Sequence, residues 1–500
     1  MWIDDDVCYQ ALSARDARFD GHFFVAVSST GIYCRPVCPA AVPKRVNCRF
    51  YSSAAAAEGA GFRPCLRCRP ELAPGHASVD ARHRLAQAAA ARLDDGAAEA
   101  TSVADLAMQL GVTDRHLRRV FSAEFGVTPI AYAQTQRLLL AKRLLTDTAL
   151  PVTEVALTSG FQSVRRFNAL FRERYRMAPG DVRRHGRRPP AGELVFQLAY
   201  RPPLAWPLLR DFLGQRAIAG VEAVDTSDGP DPASGPGSGQ GRGQGEYRRT
   251  VAIRRGEQLF LGWLTVAPVA GRDTLKATLS GSLAAVVPEV LARLKRLFDL
   301  ACQPDRVAAA LGEVAQAHPG LRVPGAFDGF EAAVRAVLGQ QITVRAARTL
   351  AGRFAAELGT PLHTPFAELT HAFPDAATVA NADPARIGKL GILRRRVAAI
   401  QALAEALVER RLQLTPGADV DATLAALKAL PGIGDWTAQY LAMRALSWPD
   451  AFPAADFGVL KALGERSPAA ARQRAEAWRP WRAYAVLHLW QSLADQQKES

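Results

Sequence analysis

Leu430-Pro431-Gly432-Ile433-Gly434-Asp435-Trp436-Thr437-Ala438 reads as the end of one helix, a tight Gly-Ile-Gly turn and the start of a second helix. This is a helix-hairpin-helix phrase. Its glycines let the backbone approach a phosphate closely, and the phosphate oxygens then meet the amides of the second helix's N-terminus. Gly432 and Gly434 are therefore candidate DNA-backbone contacts. Many DNA-binding proteins use the phrase without catalysis, so its company decides what it does here. Downstream stand Asp456, in Phe452-Pro453-Ala454-Ala455-Asp456-Phe457-Gly458, and then Trp478-Arg479-Pro480-Trp481 and His488-Leu489-Trp490. Upstream stands Gly339-Gln340-Gln341.

The chain around this phrase has 500 residues, 49% of them hydrophobic, which is too long for one core and predicts three or four domains. A net charge of +14 and a pI near 9.8 point to a polyanionic partner, with nucleic acid first among them. No apolar run approaches the ~20 residues of a spanning helix, so no membrane partner is expected. The acidic Met1-Trp2-Ile3-Asp4-Asp5-Asp6 start lacks a signal peptide's order, which predicts a cytosolic protein with reduced thiols.

Four of the seven cysteines fall in close pairs, Cys34 with Cys38 and Cys65 with Cys68. Each pair can chelate one edge of a tetrahedral zinc. Arg35, Arg63, Arg67 and Arg69 flank them, and the first three are expected to meet DNA phosphates. Cys8, Cys48 and Cys302 have no partner at ligand spacing and are expected to pack. Spacing alone leaves a purely structural zinc clip open.

Residues 80–186 are expected to be helical with two similar halves. Ser102-Val103-Ala104-Asp105 opens a capped helix, and Gly111-Val112-Thr113 turns into a second helix carrying Arg115, His116 and Arg118. The second copy runs from Val152 through Gly160-Phe161-Gln162 into a helix carrying Arg165 and Arg166. In each copy the second helix is the one that would enter a major groove, so these residues and Gln162 are candidate DNA contacts. Strand-like runs such as Leu194–Leu198 and Thr250–Ile253 follow. Ser227–Gly245 is rich in Gly, Ser, Pro and Gln and reads as a disordered loop within one β-containing domain. Helical periodicity returns at Val287, Val290, Leu291, Leu294, Leu297 and Phe298, and Asp328 with Glu331 suggests a capping box.

Three resemblances attach to these phrases. Gly21–Val27, Thr30–Pro36 and Phe62–Cys65 resemble the zinc domain of Ada-type alkylation-damage sensors, over nearly all of Val7–Leu72. The resemblance implies that Cys34, Cys38, Cys65 and Cys68 bind one Zn²⁺. It also implies that Cys34 accepts a methyl group irreversibly from a DNA methylphosphotriester, and that the lost negative charge then strengthens DNA binding. Phe125-Gly126-Val127-Thr128-Pro129 and Tyr175-Arg176-Met177-Ala178-Pro179 are similar to the closing phrases of AraC-type regulators, which implies promoter DNA and RNA polymerase as partners. From Phe196 onward the chain resembles the AlkA branch of helix-hairpin-helix DNA glycosylases.

That branch implies Asp456 as the catalytic carboxylate and Trp436, Tyr440 and Trp490 as the pocket for an everted alkylated base. It implies Gln341 at the position of the DNA wedge and a possible monovalent cation on carbonyls near Leu430 and Ile433. Trp436 stands where strand-cleaving members have a Schiff-base lysine, and Lys461 is too far along to replace it. A monofunctional 3-methyladenine glycosylase that leaves an abasic site is therefore expected. The Pro-Cys-His-Arg phrase of O6-methylguanine methyltransferases is absent, so that activity is not expected.

The expected fold is multidomain, mostly α with α+β parts. Residues 1–75 form a small zinc-binding α/β domain, 80–186 a double helix-turn-helix, 193–305 an α+β domain and 306–496 an all-α glycosylase domain, in a monomer. The rival is a transcription regulator with a structural zinc and a non-catalytic, DNA-binding second half.

Overall fold

The computed structural model describes residues 5–15, 19–20, 23–51, 54–68, 70, 81–94, 102–148, 150–184, 192–225 and 245–499. The loop expected from Ser227 lies outside these residues up to 244, as does Arg69. The chain divides into two compact units, residues 1–90 with 101–129, and residues 91–100 with 130–500. That division runs through the segment 80–186 rather than along its edges.

The first unit contains strands β1 (Phe24–Val27), β2 (Ile32–Cys34), β3 (Cys48–Tyr51) and β4 (Arg63–Pro64), in the sheet order β3-β1-β2-β4. Side chains alternate across the sheet as the pleat requires. Val25 and Phe50 pack with Phe23 beneath helix Asp5–Ala14, which contributes Cys8, Ala11 and Leu12. Phe24, Ala26 and Tyr33 face the other way against Ala57. Cys8 and Cys48 are buried within the first of these clusters, and the Cys48 thiol also donates to Lys44 O at 3.4 Å. β2 and β4 pair in parallel, Ile32 with Arg63 and Tyr33 with Pro64, and the Cys65 N–H donates to Tyr33 O at 3.0 Å. One step further along that register, Cys34 and Cys65 leave the sheet side by side. The first helix-turn-helix follows as helices Val103–Gln109 and Asp114–Phe125.

In the second unit the second motif (helices Val152–Thr158 and Val164–Tyr175) shares a core with an antiparallel sheet. The sheet is formed by β5 (Glu193–Ala199), β6 (Glu222–Asp225), β7 (Glu246–Arg255), β8 (Gln258–Pro268) and β9 (Thr274–Ser280), in the order β5-β9-β8-β7-β6. Leu138, Leu145, Phe167 and Phe171 are buried in one cluster with Leu194, Phe196 and Leu264. The Arg143 guanidinium lies 5.0 Å from the centre of the Phe196 ring and donates to Gln197 O. Helix Val287–Leu297 buries the apolar face expected of it.

The remaining helices enclose a second large core that includes Val337, Phe354, Ile400, Leu403, Leu441 and Val486. Ile218 and Val221, from the segment before β6, join that core. A buried ion-pair cluster ties sheet to helices: Arg249 with Glu331 at 2.6 Å, and Arg335 with Glu222 at 2.6 Å and Glu331 at 3.0 Å. This corrects one detail. Asp328 does cap helix Gly329–Leu338, accepting from the N–H groups of Phe330 and Glu331, but the Glu331 carboxylate serves the two arginines instead of closing a capping box. Two guanidiniums in a buried site outcompete one backbone N–H for a carboxylate.

Candidate functional site

In the first unit the Sγ atoms of Cys34, Cys38, Cys65 and Cys68 all lie within 4.8 Å of one another. Four thiolates at zinc-bond length would stand about 3.8 Å apart, so this cluster needs only slight contraction to hold a tetrahedral ion. The donor set fits for a second reason. Hydrogen bonds from Cys34 and Cys68 hold the Cys38 thiol down to about 2, while its bond to Cys38 pushes Cys34 well above the ordinary thiol range. Four crowded sulfurs cannot all ionise unless a dication neutralises them. The members are unequal in exposure: Cys38, Cys65 and Cys68 are buried, and Cys34 alone is half-exposed.

Arg35 corrects an expectation. Its side chain is fully buried, Nε donates to Asp20 Oδ1 at 2.8 Å, Nη2 pairs with Asp20 Oδ2, and Nη1 donates to Cys68 O at 3.2 Å. Its backbone N–H also points at Cys68 Sγ, at 3.4 Å. Arg35 therefore braces the cysteine loop and cannot reach a phosphate. Arg63 and Arg67 are exposed, with Leu66 beside them.

Both helix-turn-helix motifs present their candidate residues at well-defined helix starts. The side chains of Thr113 and Ser163 accept from the N–H groups of His116 and Arg166. Leu117, Val120 and Phe121 bury the inner face of the first of these helices, and Phe167 and Phe171 that of the second. Arg115, Gln162, Arg165 and Arg166 are exposed, and His116 is half-buried. Arg118 is paired with Asp114 on the same helix at 2.8 Å.

In the second unit Asp456 caps helix Phe457–Leu463, its Oδ1 accepting from the Val459 N–H at 2.9 Å. Two indoles converge on the same carboxylate. Trp436 Nε1 donates to Oδ2 and Trp490 Nε1 to Oδ1, both at 2.8 Å. These bonds fix the orientation of the carboxylate. Gly458 makes room for the arrangement, because a Cβ there would sit 3.0 Å from Trp490 Cδ1 and 3.1 Å from Asp456 Oδ1. Tyr440 stacks on Trp436 with ring centres 5.3 Å apart and 11° between the planes.

These groups open onto a cleft of about 360 Å³. Its other walls were not foreseen from the sequence: Arg216 and Ile218 come from the segment leading into β6, Arg335 and Arg348 from helices Gly329–Leu338 and Val344–Leu358, and Ile342 from the turn between those helices. The Tyr440 hydroxyl accepts from Arg444 Nη1 at 2.7 Å. Burial pushes the phenol up, but Arg444, Arg216 and Arg335 together outweigh it and hold it below its ordinary value. Burial lowers Arg216 to about 10.

At the rim, Gln341 is exposed in the left-handed region, at φ +56, and its Oε1 accepts from Arg395 Nη2 at 3.2 Å. Gly432 turns the hairpin at φ +76, and Gly434 is the residue before helix Asp435–Arg444. Lys461 lies on the exposed side of helix Phe457–Leu463. Among the described residues no helix is long and apolar enough to cross a membrane.

Comparison with known proteins matches four families along the chain. They are described as the metal binding domain of Ada (residues 7–71), a helix-turn-helix domain (106–185), the AlkA N-terminal domain (195–328) and the HhH-GPD superfamily of base excision DNA repair proteins (334–477). A Mycobacterium tuberculosis protein described as a probable bifunctional transcriptional activator/DNA repair enzyme AlkA is 38% identical over 99% of this chain and 97% of its own length. DNA-3-methyladenine glycosylase 2 of Escherichia coli is 38% identical over 59% of this chain and 96% of that protein. The Escherichia coli bifunctional transcriptional activator/DNA repair enzyme Ada is 41% identical over 32% of this chain and 43% of that protein.

Proposed function

The chain belongs to the family of bifunctional transcriptional activator/DNA repair enzymes that join Ada-type and AlkA-type parts, and from that premise we propose that it both senses and repairs DNA alkylation. Sensing is assigned to Cys34, the half-exposed member of the cysteine cluster. Zinc, when held by Cys34, Cys38, Cys65 and Cys68, keeps these sulfurs as thiolates at neutral pH. The Cys34 sulfur then forms a bond to the methyl carbon of a methylphosphotriester. The methyl C–O bond breaks, and its electron pair leaves with the phosphodiester. Cys34 ends as a neutral thioether, so the cluster loses one negative charge and its repulsion from the DNA backbone falls. Because the thioether is not turned over, each chain reacts once. The DNA-bound form then activates transcription through the two helix-turn-helix motifs and RNA polymerase.

Repair is assigned to the cleft at Asp456. An everted alkylated purine is already cationic and leaves as a neutral base when its N-glycosidic bond breaks, taking the bonding electrons. The carboxylate, held by Trp436 and Trp490, faces the positive charge that develops on the sugar. Water adds at the sugar carbon and its proton passes to Asp456 or solvent. Trp436 and Tyr440 offer stacked rings for the base. No lysine stands at the Trp436 position, which supports hydrolysis alone, without strand cleavage. A monovalent cation on the carbonyls near Leu430 and Ile433, a monomeric state and a cytosolic, nucleoid-associated location complete the proposal.

The observation that carries the enzymatic reading is the pair of indole donors on a carboxylate that opens onto a base-sized cleft. Release of 3-methyladenine from methylated DNA tests it. Asp456→Asn should lower the rate by a factor on the order of 100 or more, and an unchanged rate leaves only the non-catalytic, DNA-binding reading. Mass spectrometry after exposure to methylated DNA tests the sensor. A single methyl adduct on Cys34 is expected, and its absence reduces the zinc to a structural clip.

A further inference from the structure

The turn that carries Gln341 is laced to two other elements. After helix Gly329–Leu338 the chain passes through Gly339 and Gln340 to Gln341 at φ +56. The Gln340 side-chain Nε2 lies 2.9 Å from Gly432 O and 3.2 Å from Thr437 Oγ1. A carbonyl only accepts, so the amide nitrogen must face the hairpin. On the other side Arg396 Nη2 donates to Gln340 O, and Arg395 Nη2 donates to Gln341 Oε1 at 3.2 Å. The hairpin itself lies against helix Arg394–Val408, which carries both arginines, since a Cβ on Gly432 would come 3.2 Å from Ala399 Cβ.

We propose that Gln340 is a positioning residue that couples the phosphate-facing hairpin to the turn bearing Gln341, so that gripping the DNA backbone drives base eversion. The inference rests on the glycosylase reading above. Opening the stack costs a few kcal/mol, and this has to be offset by contacts made elsewhere on the DNA. A wedge that moves as one body with the phosphate-binding hairpin lets backbone contacts work against stacking. A left-handed Gln341 is itself unfavourable, so without its tether the turn can relax away from the duplex. Only a group with two donors reaches Gly432 O and Thr437 Oγ1 together, and leucine of similar size has none.

Single-turnover excision of 7-methylguanine by the full chain separates this role from a general structural one. The lesion is placed once in a fully paired duplex and once in a single-nucleotide bulge, where eversion is already cheap. Gln340→Leu should slow the paired substrate about tenfold, as expected for two lost hydrogen bonds, and the bulged one less than about twofold. A 2-aminopurine beside the lesion should lose its binding-induced fluorescence rise. Thr437→Val, which removes one acceptor, should give a smaller loss of the same selectivity and serves should Gln340→Leu fail to fold. Equal slowing on both substrates, or no slowing on either, overturns the inference. Absence of 3-methyladenine release from methylated DNA by the unsubstituted chain overturns the glycosylase reading and this inference with it, and is seen before any substitution is compared.

Discussion

At the scale of single residues, Asp456 shows how a carboxylate is prepared. Removing one indole donor while keeping an apolar ring, as in Trp490→Phe, should lower the excision rate about tenfold and leave thermal stability nearly unchanged. Arg35 shows the reverse case, a basic residue in a functional motif that does structural work. Arg35→Ala strands Asp20 in a buried site and should destabilise the zinc unit by about 3–5 kcal/mol, whereas Arg63→Ala should weaken DNA binding and reduce its salt dependence without unfolding anything. Thermal melts beside salt-dependent binding isotherms distinguish the two.

Asp299 offers a pH test. Burial raises it to about 6, although Tyr484 donates to it at 2.7 Å. A carboxyl raised on folding contributes stability below its unfolded value near 4 and loses it as pH rises through about 6. Asp299→Asn should therefore be more stable than the native chain at pH 7.5, by up to roughly 3 kcal/mol, with the gap closing near pH 4. The residue sits at φ +47, a region that Asn tolerates as Asp does, so the substitution adds no backbone strain. Denaturant midpoints at the two pH values check both parts.

Among elements, those with strong local signals were legible in the sequence. The Ser102 cap, the paired cysteines and the apolar stripe beginning at Val287 each depend on neighbours within one or two turns. Trp436 and Asp456 were singled out only through resemblance, since the hydrogen bond that brings them together joins two helices across the fold. Arg216, Arg335 and Arg348 were not legible as cleft walls, because tertiary packing brings them there. The burial of Arg35 depends on Asp20, and no spacing rule links those two. One helix end carries a testable cost. Helix Val164–Tyr175 stops at Arg176 in the left-handed region, at φ 56, where the first motif uses Gly126 at φ 72. Arg176→Gly should stabilise the second motif by about 1 kcal/mol, read as a higher melting temperature.

For the whole molecule, the division at residue 129 separates two dependencies. The metal cluster belongs to the first unit, while the cleft and its buried ion pairs belong to the second. Chelation should therefore abolish methyl transfer and unfold the cysteine-bearing domain, yet leave base excision within about twofold of normal, because zinc-domain stability is metal-linked and the cleft is not. Parallel assays with and without chelator check this. The second helix-turn-helix motif is in a different position from the first, since its core is continuous with the sheet that follows it. That continuity sets a rule for solubility. A fragment begun at Glu193 would bare the apolar faces now covered by Leu138, Leu145, Phe167 and Phe171. Such a fragment should self-associate and scatter light at concentrations where the complete chain stays dispersed, and polar substitutions on the bared face should restore it.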